Sequence, residues 1–313
     1  MKIALLDDWQ ENAHEFADWD RVSGQHQLDI YHDTISGPEL IQRLQPYDVL
    51  CLMRERTVFS ADVIDSLPNL KAIITSGMRN AAIDLDACRA RNIVVSGTAS
   101  PGHATAELAM TLIGALARQI VPCANAMAHG GWQVGTGRDL RGAKLGILGL
   151  GRLGGQVATL GQAFGMEVQA WSQNLTPERA AEHGVAFADK KSFFATSDFI
   201  SIHLKLSDRV VGLVGPQELA LMQSDACIVN TSRAPIIDEA ALIAALGAGR
   251  LGGAALDVYH REPLPADDPL RATPNLLLTP HIGYVTRQTM TVFYGETLES
   301  LEAYLAGAPI RTL

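Results

Sequence analysis

The chain has 313 residues, 47% of them hydrophobic and 19% charged, with a formal net charge of −9. That length has room for two domains, and the acidic balance, with a pI near 5.4, argues against a nucleic-acid or anionic-membrane surface as partner. No window approaches about 18 uninterrupted apolar residues, so no transmembrane span is expected.

The opening run Met1-Lys2-Ile3-Ala4-Leu5-Leu6 is too short for a signal peptide and reads as a strand ending in Asp7 and Asp8. Further strands are predicted at Gln27–Tyr31, Val49–Met53, Ala72–Thr75 and Ile93–Val95, with helical stretches such as Pro38–Leu44 and Ala61–Leu67 between them. Strands alternating with helices imply a parallel sheet covered on both faces, hence an α/β unit. Residues Ala104 to Ala128 read as one long helix dominated by Ala, Leu, Met and Ile. A helix apolar nearly all round is expected at a seam between domains or protomers. The pattern stops at His129-Gly130-Gly131-Trp132. The four cysteines, Cys51, Cys88, Cys123 and Cys227, form no CxxC and read as buried thiols of a cytoplasmic protein. No metal-ligand cluster is read from the spacing.

The segment Lys144-Leu145-Gly146-Ile147-Leu148-Gly149-Leu150-Gly151-Arg152-Leu153-Gly154 carries three glycines spaced G-x-G-x-x-G, between an apolar run and a helix-like run starting at Gly155. This is the strand, tight turn and helix start that wraps a dinucleotide pyrophosphate. Gly149 allows the turn, Gly151 lets the backbone approach the phosphates, and Gly154 lets helix and strand pack closely. The helix N-terminus adds free N–H groups and a positive dipole end.

Beyond the turn, strands are predicted at Leu145–Leu148, Val168–Trp171, Phe199–His203, Ala226–Asn230, Gly253–Asp257 and Leu276–Leu278. Helices fit at Gln156–Phe164, Pro177–Glu182, Pro216–Met222, Glu239–Leu246 and, last, Arg287–Leu305. An acid at the end of the strand after a glycine turn would hold the ribose 2′-OH of NAD. Here that end reads Trp171-Ser172-Gln173-Asn174. Two readings stay open. Ser172, Gln173 and Asn174 contact the 2′-phosphate of NADP, helped by Arg152, Arg179 or Lys205; or neutral side chains bond the NAD hydroxyl directly. The missing acid removes repulsion against a phosphate and sets NADP slightly ahead of NAD.

Three later segments each follow a strand-like run: Asn230-Thr231-Ser232-Arg233, Asp257-Val258-Tyr259-His260-Arg261-Glu262 and Thr279-Pro280-His281-Ile282-Gly283. Arg233, Glu262 and His281 thus lie past the carboxyl ends of strands, the edge where open parallel sheets bind ligands. The ordered segments GLGRLG, NTSRAPIIDEAAL, DVYHREPLP and PHIG resemble those of the D-isomer-specific 2-hydroxyacid dehydrogenase family, of the types GxGxxG, NTSRGxxVDExAL, DVFxxEPLP and PHIG. The resemblance covers almost the whole chain.

It implies two doubly wound parallel-sheet domains with a cleft between them. A Rossmann cofactor domain over residues 99–281 is inserted in a flavodoxin-like substrate domain made of residues 1–98 and 282–313. It also implies a catalytic set of Arg233, Glu262 and His281, and a homodimer. Cofactor contacts fall on Thr105, Gly149, Gly151, Arg152, Leu153, Gly154, His203 and Asp257. His203 sits where the family has H-x-P, and Lys205 replaces the proline.

The residue types suit the chemistry. Reducing a 2-keto acid needs a hydride on carbon and a proton on the keto oxygen. A histidine titrates near neutrality and can give that proton. A carboxylate on its other ring nitrogen fixes the tautomer and favours the charged ring. An arginine fork holds carboxylate and keto oxygens.

On the substrate side, the family loop GxGxDNID stands here as Ser76-Gly77-Met78-Arg79-Asn80-Ala81-Ala82-Ile83-Asp84. The resemblance implies that backbone N–H groups around Gly77 and Met78 hold the substrate carboxylate. Arg79, in place of the second glycine, and Arg54, past another strand, hint at an anionic or enlarged substrate. The expected activity is NAD(P)-dependent interconversion of a small 2-keto acid, of the glyoxylate or hydroxypyruvate type, and a D-2-hydroxy acid. A phosphite-type dehydrogenase and a non-catalytic NAD(H)-sensing protein are the alternatives on this scaffold. Formate dehydrogenases carry glutamine where Glu262 stands. A long-form phosphoglycerate enzyme would carry extra regulatory sequence, for which no room is expected.

Overall fold

The computed structural model describes residues 1–313. The chain forms two compact units, Met1–Pro101 with Thr286–Leu313, and Gly102–Val285.

In the first unit, β1 (Lys2–Leu5), β2 (Gln27–Ile30), β3 (Val49–Leu52), β4 (Ala72–Thr75) and β5 (Val94–Ser96) form one sheet in the order β2-β1-β3-β4-β5. Every pairing is parallel. This is the flavodoxin-like order, with its topological switch point between β1 and β3. β3 and β4 are buried along their whole length, as strands covered on both faces must be. The helix Arg287–Leu305 returns to this unit. Its Phe293, Leu298 and Leu301 are buried, worth about 1.5–3 kcal/mol each. Beyond it, Leu313 donates its N–H to the Val95 carbonyl and Gly97 donates to Arg311, tying the tail to β5.

The second unit holds β6 (Lys144–Leu148), β7 (Glu167–Trp171), β8 (Ala186–Phe187), β9 (Phe199–Ile202), β10 (Cys227–Asn230), β11 (Gly253–Leu256) and β12 (Leu276–Leu278). Their order is β12-β11-β10-β9-β6-β7-β8, again all parallel. The order reverses between β6 and β9, as in dinucleotide-binding sheets. One apolar cluster, including Ile113, Leu145, Val157 and Val229, covers one face. Another, including Phe193, Ile200, Ile228 and Leu242, covers the other.

The expected long helix over 104–128 is two helices. Ala104–Ala117 and Ile120–Ala128 meet at a 65° bend. Gln119 takes a left-handed φ of 50°. Pro122 is the physical reason: it lacks an N–H, and its ring would clash with the carbonyl four residues back, at Arg118. The first helix buries Ala106, Ala109, Met110, Leu112 and Ile113, whereas the second buries nothing. No single helix is long and apolar enough to cross a membrane.

Other differences are local. The helix after the glycine turn starts at Arg152 rather than Gly155. The short helices Ala13–Phe16, Asp20–Ser23, Leu85–Ala90 and Lys190–Thr196 and the two-residue β8 are too brief for a readable period. All four cysteines are free; Cys51, Cys88 and Cys227 are buried and Cys123 is half-buried. Burial pushes the Cys51 thiol up to about 12.

Candidate active site

The glycine turn lies at the carboxyl end of β6, beside the switch point. Gly149 has φ 101°, and a Cβ there would meet the His203 carbonyl group at 3.0 Å. A Cβ on Gly154 would sit 2.1 Å from the Gly149 carbonyl oxygen, so only glycine lets the helix Arg152–Ala163 come this close. Gly151 caps that helix with no side-chain cap bond and has open space beside it. Free N–H groups, a dipole end and a cleared backbone fit a dinucleotide pyrophosphate.

Arg233, Glu262 and His281 follow β10, β11 and β12, three adjacent strands. The His281 Nδ1 and a Glu262 carboxylate oxygen, Oε2, lie 2.6 Å apart. The other oxygen, Oε1, accepts the Tyr259 N–H at 2.9 Å. Burial works to raise the Glu262 pKa, but the His281 bond and charge and the nearby Arg233 guanidinium outweigh it and hold the carboxyl below its ordinary range. Arg233 donates through Nη1 to the Ser232 carbonyl at 2.8 Å. Asn230 holds this corner: its Nδ2 donates to the Arg233 carbonyl at 3.0 Å and its Oδ1 accepts from Ser232 N at 2.9 Å.

His281 has a left-handed φ of 53°, strained for a non-glycine residue. Buried Asp257 anchors the segment around it, accepting from Thr279 Oγ1 at 2.6 Å, Ile282 N at 2.8 Å and Gly283 N at 2.8 Å. Burial raises the Asp257 pKa against these bonds. Tyr259 adds a tie that the sequence reading missed. Its hydroxyl lies 2.7 Å from the Thr279 carbonyl oxygen and 3.0 Å from that of Leu256, linking the ends of β12 and β11.

Comparison with known proteins bears on this arrangement. Residues 110–283 match the D-isomer specific 2-hydroxyacid dehydrogenase, NAD binding domain. The chain belongs to the D-isomer-specific 2-hydroxyacid dehydrogenase family. It is 35% identical over 281 residues to a glyoxylate reductase of Aeropyrum pernix, covering 86% of this chain and 83% of that one. It is 34% identical to a D-3-phosphoglycerate dehydrogenase of Archaeoglobus fulgidus over 99% of its own length, but spans only 58% of that relative. A phosphoglycerate oxidoreductase structure from Vibrio cholerae O395 superposes with a TM-score of 0.92 at 36% identity, covering 98% of this chain and 100% of that chain. The family is one of NAD-linked oxidoreductases, and the dinucleotide expected from the glycine turn is the family's NAD(H)-type cofactor.

The remaining family positions in this unit fall as follows. His203 is at the end of β9; its ring bonds the Ser201 hydroxyl at 2.8 Å, and burial lowers its pKa to about 4, so the ring is neutral at pH 7. The Thr105 hydroxyl donates to the Gly283 carbonyl at 2.9 Å, beside the His281 segment. Ser172 is half-buried, and Gln173 and Asn174 are exposed past β7. Gln173 Nε2 donates to the Arg209 carbonyl at 3.4 Å. Arg209 was not among the expected cations; only the adjacency of β9 and β6, with β7 beyond, brings its loop here. The Arg152 guanidinium lies against Gly102, where an added Cβ would be 2.0 Å from Nη1. Leu153 is half-buried in the first turn of its helix, and Arg179 and Lys205 are exposed.

Arg54, Gly77, Met78 and Arg79 belong to the other unit, past the carboxyl ends of β3 and β4. Gly77 has φ 88°, and a Cβ there would collide with Arg54 Nη1. Arg54, itself at φ 54°, donates through Nη1 to the Ser76 carbonyl at 2.9 Å. Its carbonyl accepts from Asn80 Nδ2 at 2.6 Å. Met78 and Arg79 are exposed.

Proposed function

We propose that the chain reduces a small 2-keto acid to a D-2-hydroxy acid with NAD(P)H, with glyoxylate or hydroxypyruvate as the starting substrate class. The observation that carries this reading is the 2.6 Å contact between Glu262 and His281, next to Arg233 at the carboxyl edge of the dinucleotide-binding sheet. With Nδ1 turned to the carboxylate, Nε2 is the nitrogen left to give a proton to the keto oxygen. The Glu262 carboxylate holds the ring by Nδ1 and so fixes its orientation. Arg233 orients the substrate through its fork, binding carboxylate and keto oxygens. The bound reduced nicotinamide supplies the hydride. Asp257 and Thr105 hold the His281 segment in place.

NADPH is the favoured cofactor. The end of β7 carries no acid, and the loop that carries Arg209 is bonded to Gln173 there. A second copy of the chain covers the helix Ile120–Ala128, where Ile120 and Met127 are each 55% exposed and nearby Trp132 is 71% exposed; uncovered apolar area of this kind marks an interface. The test is turnover of a 2-keto acid panel with NADH and NADPH, alongside sedimentation of the purified chain. Activity no greater than that of His281→Ala refutes the dehydrogenase reading.

A further inference from the structure

The Glu262 contact decides which nitrogen of His281 is committed and which is left for the substrate. It leaves the tilt of the ring open. The χ2 torsion of a histidine is broad, without three sharp wells. A hydrogen bond also stays favourable over about 30° of misalignment. A ring pinned at Nδ1 alone can therefore rock, and its Nε2 swings as it does.

A second contact limits that freedom. The Tyr284 ring lies against the His281 ring, with centroids 5.7 Å apart and planes at 75°. This is the edge-to-face arrangement that aromatic pairs favour. Both residues are half-buried, and neither belongs to the apolar clusters that cover the sheet.

The backbone sets up the pairing. Val285 donates its N–H to the Ile282 carbonyl at 2.9 Å, closing a turn with Gly283 and Tyr284 at its two central positions. Asp257 takes the N–H groups of Ile282 and Gly283, the two residues between the rings. A Cβ on Gly283 would lie 3.0 Å from Asp257 Oδ2 and 3.3 Å from Thr105 Cγ2, so the turn is packed tightly from behind. One buried carboxylate thus fixes the stems of both rings.

Tyr284 lies just past the PHIG segment, and no motif marks it. We infer that Tyr284 is a positioning residue for the reaction: its ring and the Glu262 carboxylate form a two-sided clamp that aims His281 Nε2 at the keto oxygen. This rests on the dehydrogenase reading for what Nε2 does, and goes beyond it by naming the group that sets the tilt. The ring is the part required, not the hydroxyl. No bond is made or broken at Tyr284.

The test uses the full chain, as wild type, Tyr284→Ala, Tyr284→Leu and Tyr284→Phe. Phenylalanine keeps the ring and drops the hydroxyl. Leucine keeps bulk without a ring and guards against the hole that alanine leaves. Initial rates with glyoxylate and hydroxypyruvate give kcat and KM, and fluorescence titration gives NAD(P)H affinity. The His281 ring signals are read by NMR on histidine-labelled protein without cofactor, assigned by their loss in His281→Asn. The expected result is a roughly tenfold fall in kcat in Tyr284→Ala, with KM and NAD(P)H affinity within about twofold of wild type. Tyr284→Phe recovers most of the lost rate and Tyr284→Leu only part of it. The His281 signals move in Tyr284→Ala and Tyr284→Leu, where the aromatic ring current is gone, and hold in Tyr284→Phe. Wild-type kcat in Tyr284→Ala, or Tyr284→Phe as slow as Tyr284→Ala, overturns the clamp and leaves the dehydrogenase standing. Unmoved His281 signals in Tyr284→Ala overturn the ring contact itself. Moved signals with no turnover of any 2-keto acid by wild type keep the contact but remove the dehydrogenase, and with it the role of Tyr284.

Discussion

Replacing Glu262 by glutamine gives the sharpest test of the catalytic arrangement, because both carboxylate oxygens are in use. Oε2 faces His281 Nδ1 at 2.6 Å and Oε1 accepts from Tyr259 N at 2.9 Å. A glutamine has one oxygen; with that oxygen on Tyr259 N, its NH2 faces His281 Nδ1 and can bond only a neutral ring, so the charge-assisted bond to a protonated ring is lost. Loss of a hydrogen bond to a charged group costs about 1.5–3 kcal/mol, which lowers kcat for keto-acid reduction by roughly 10- to 150-fold. The assay is the initial rate of NAD(P)H consumption, with cofactor affinity measured by fluorescence titration to show that the turn is intact. A variant with kcat within about twofold of wild type refutes the acid–orienter assignment.

Two further outcomes follow from the packing. Asp7 is buried and its pKa is raised from 3.8 to about 6, chiefly by desolvation, against the Thr57 bond and the Arg56 charge. The folded state therefore holds its proton more tightly than the unfolded chain, and stability falls as pH rises from 3.8 through about 6. The stabilisation of Asp7→Asn has an upper bound of about 3 kcal/mol at pH 7.5 and vanishes toward pH 4; urea unfolding at the two pH values measures it, and a variant less stable at pH 7.5 contradicts it. In Gly154→Ala the new Cβ meets backbone at 2.1 Å and Ile147 Cγ2 at 3.0 Å. This overpacking costs about 1–3 kcal/mol and displaces the turn; loss of NAD(P)H binding is the expected reading, and wild-type affinity counts against it.

What could be read in the sequence was local. β3 is a continuous apolar run, and β4, β9 and β10 carry one polar residue each, because both of their faces are covered, and the glycine turn declares itself by spacing. The break in the Ala104–Ala128 stretch was also written in the chain, at Pro122, but composition hid it. Arg233, Glu262 and His281 could be seen to follow strands. Their convergence depends on the order β10-β11-β12, which no short segment encodes. The Asp257 anchor and the Tyr259 tie are contacts between segments 20 to 26 residues apart, and neither has a periodic signature. Arg209 reaches Gln173 only through strand order. Each of these needed the sheet before it could be recognised.

The return of residues 286–313 to the first unit sets an order of events on the ribosome. Phe293, Leu298 and Leu301 complete a core whose other half left the exit tunnel nearly 200 residues earlier. The second unit is fully synthesised in that interval and is free to fold first. Until translation finishes, the amino-terminal sheet waits with an apolar face uncovered. Nascent chains arrested before Arg287 should therefore engage chaperones through their amino-terminal portion rather than through the segment made last.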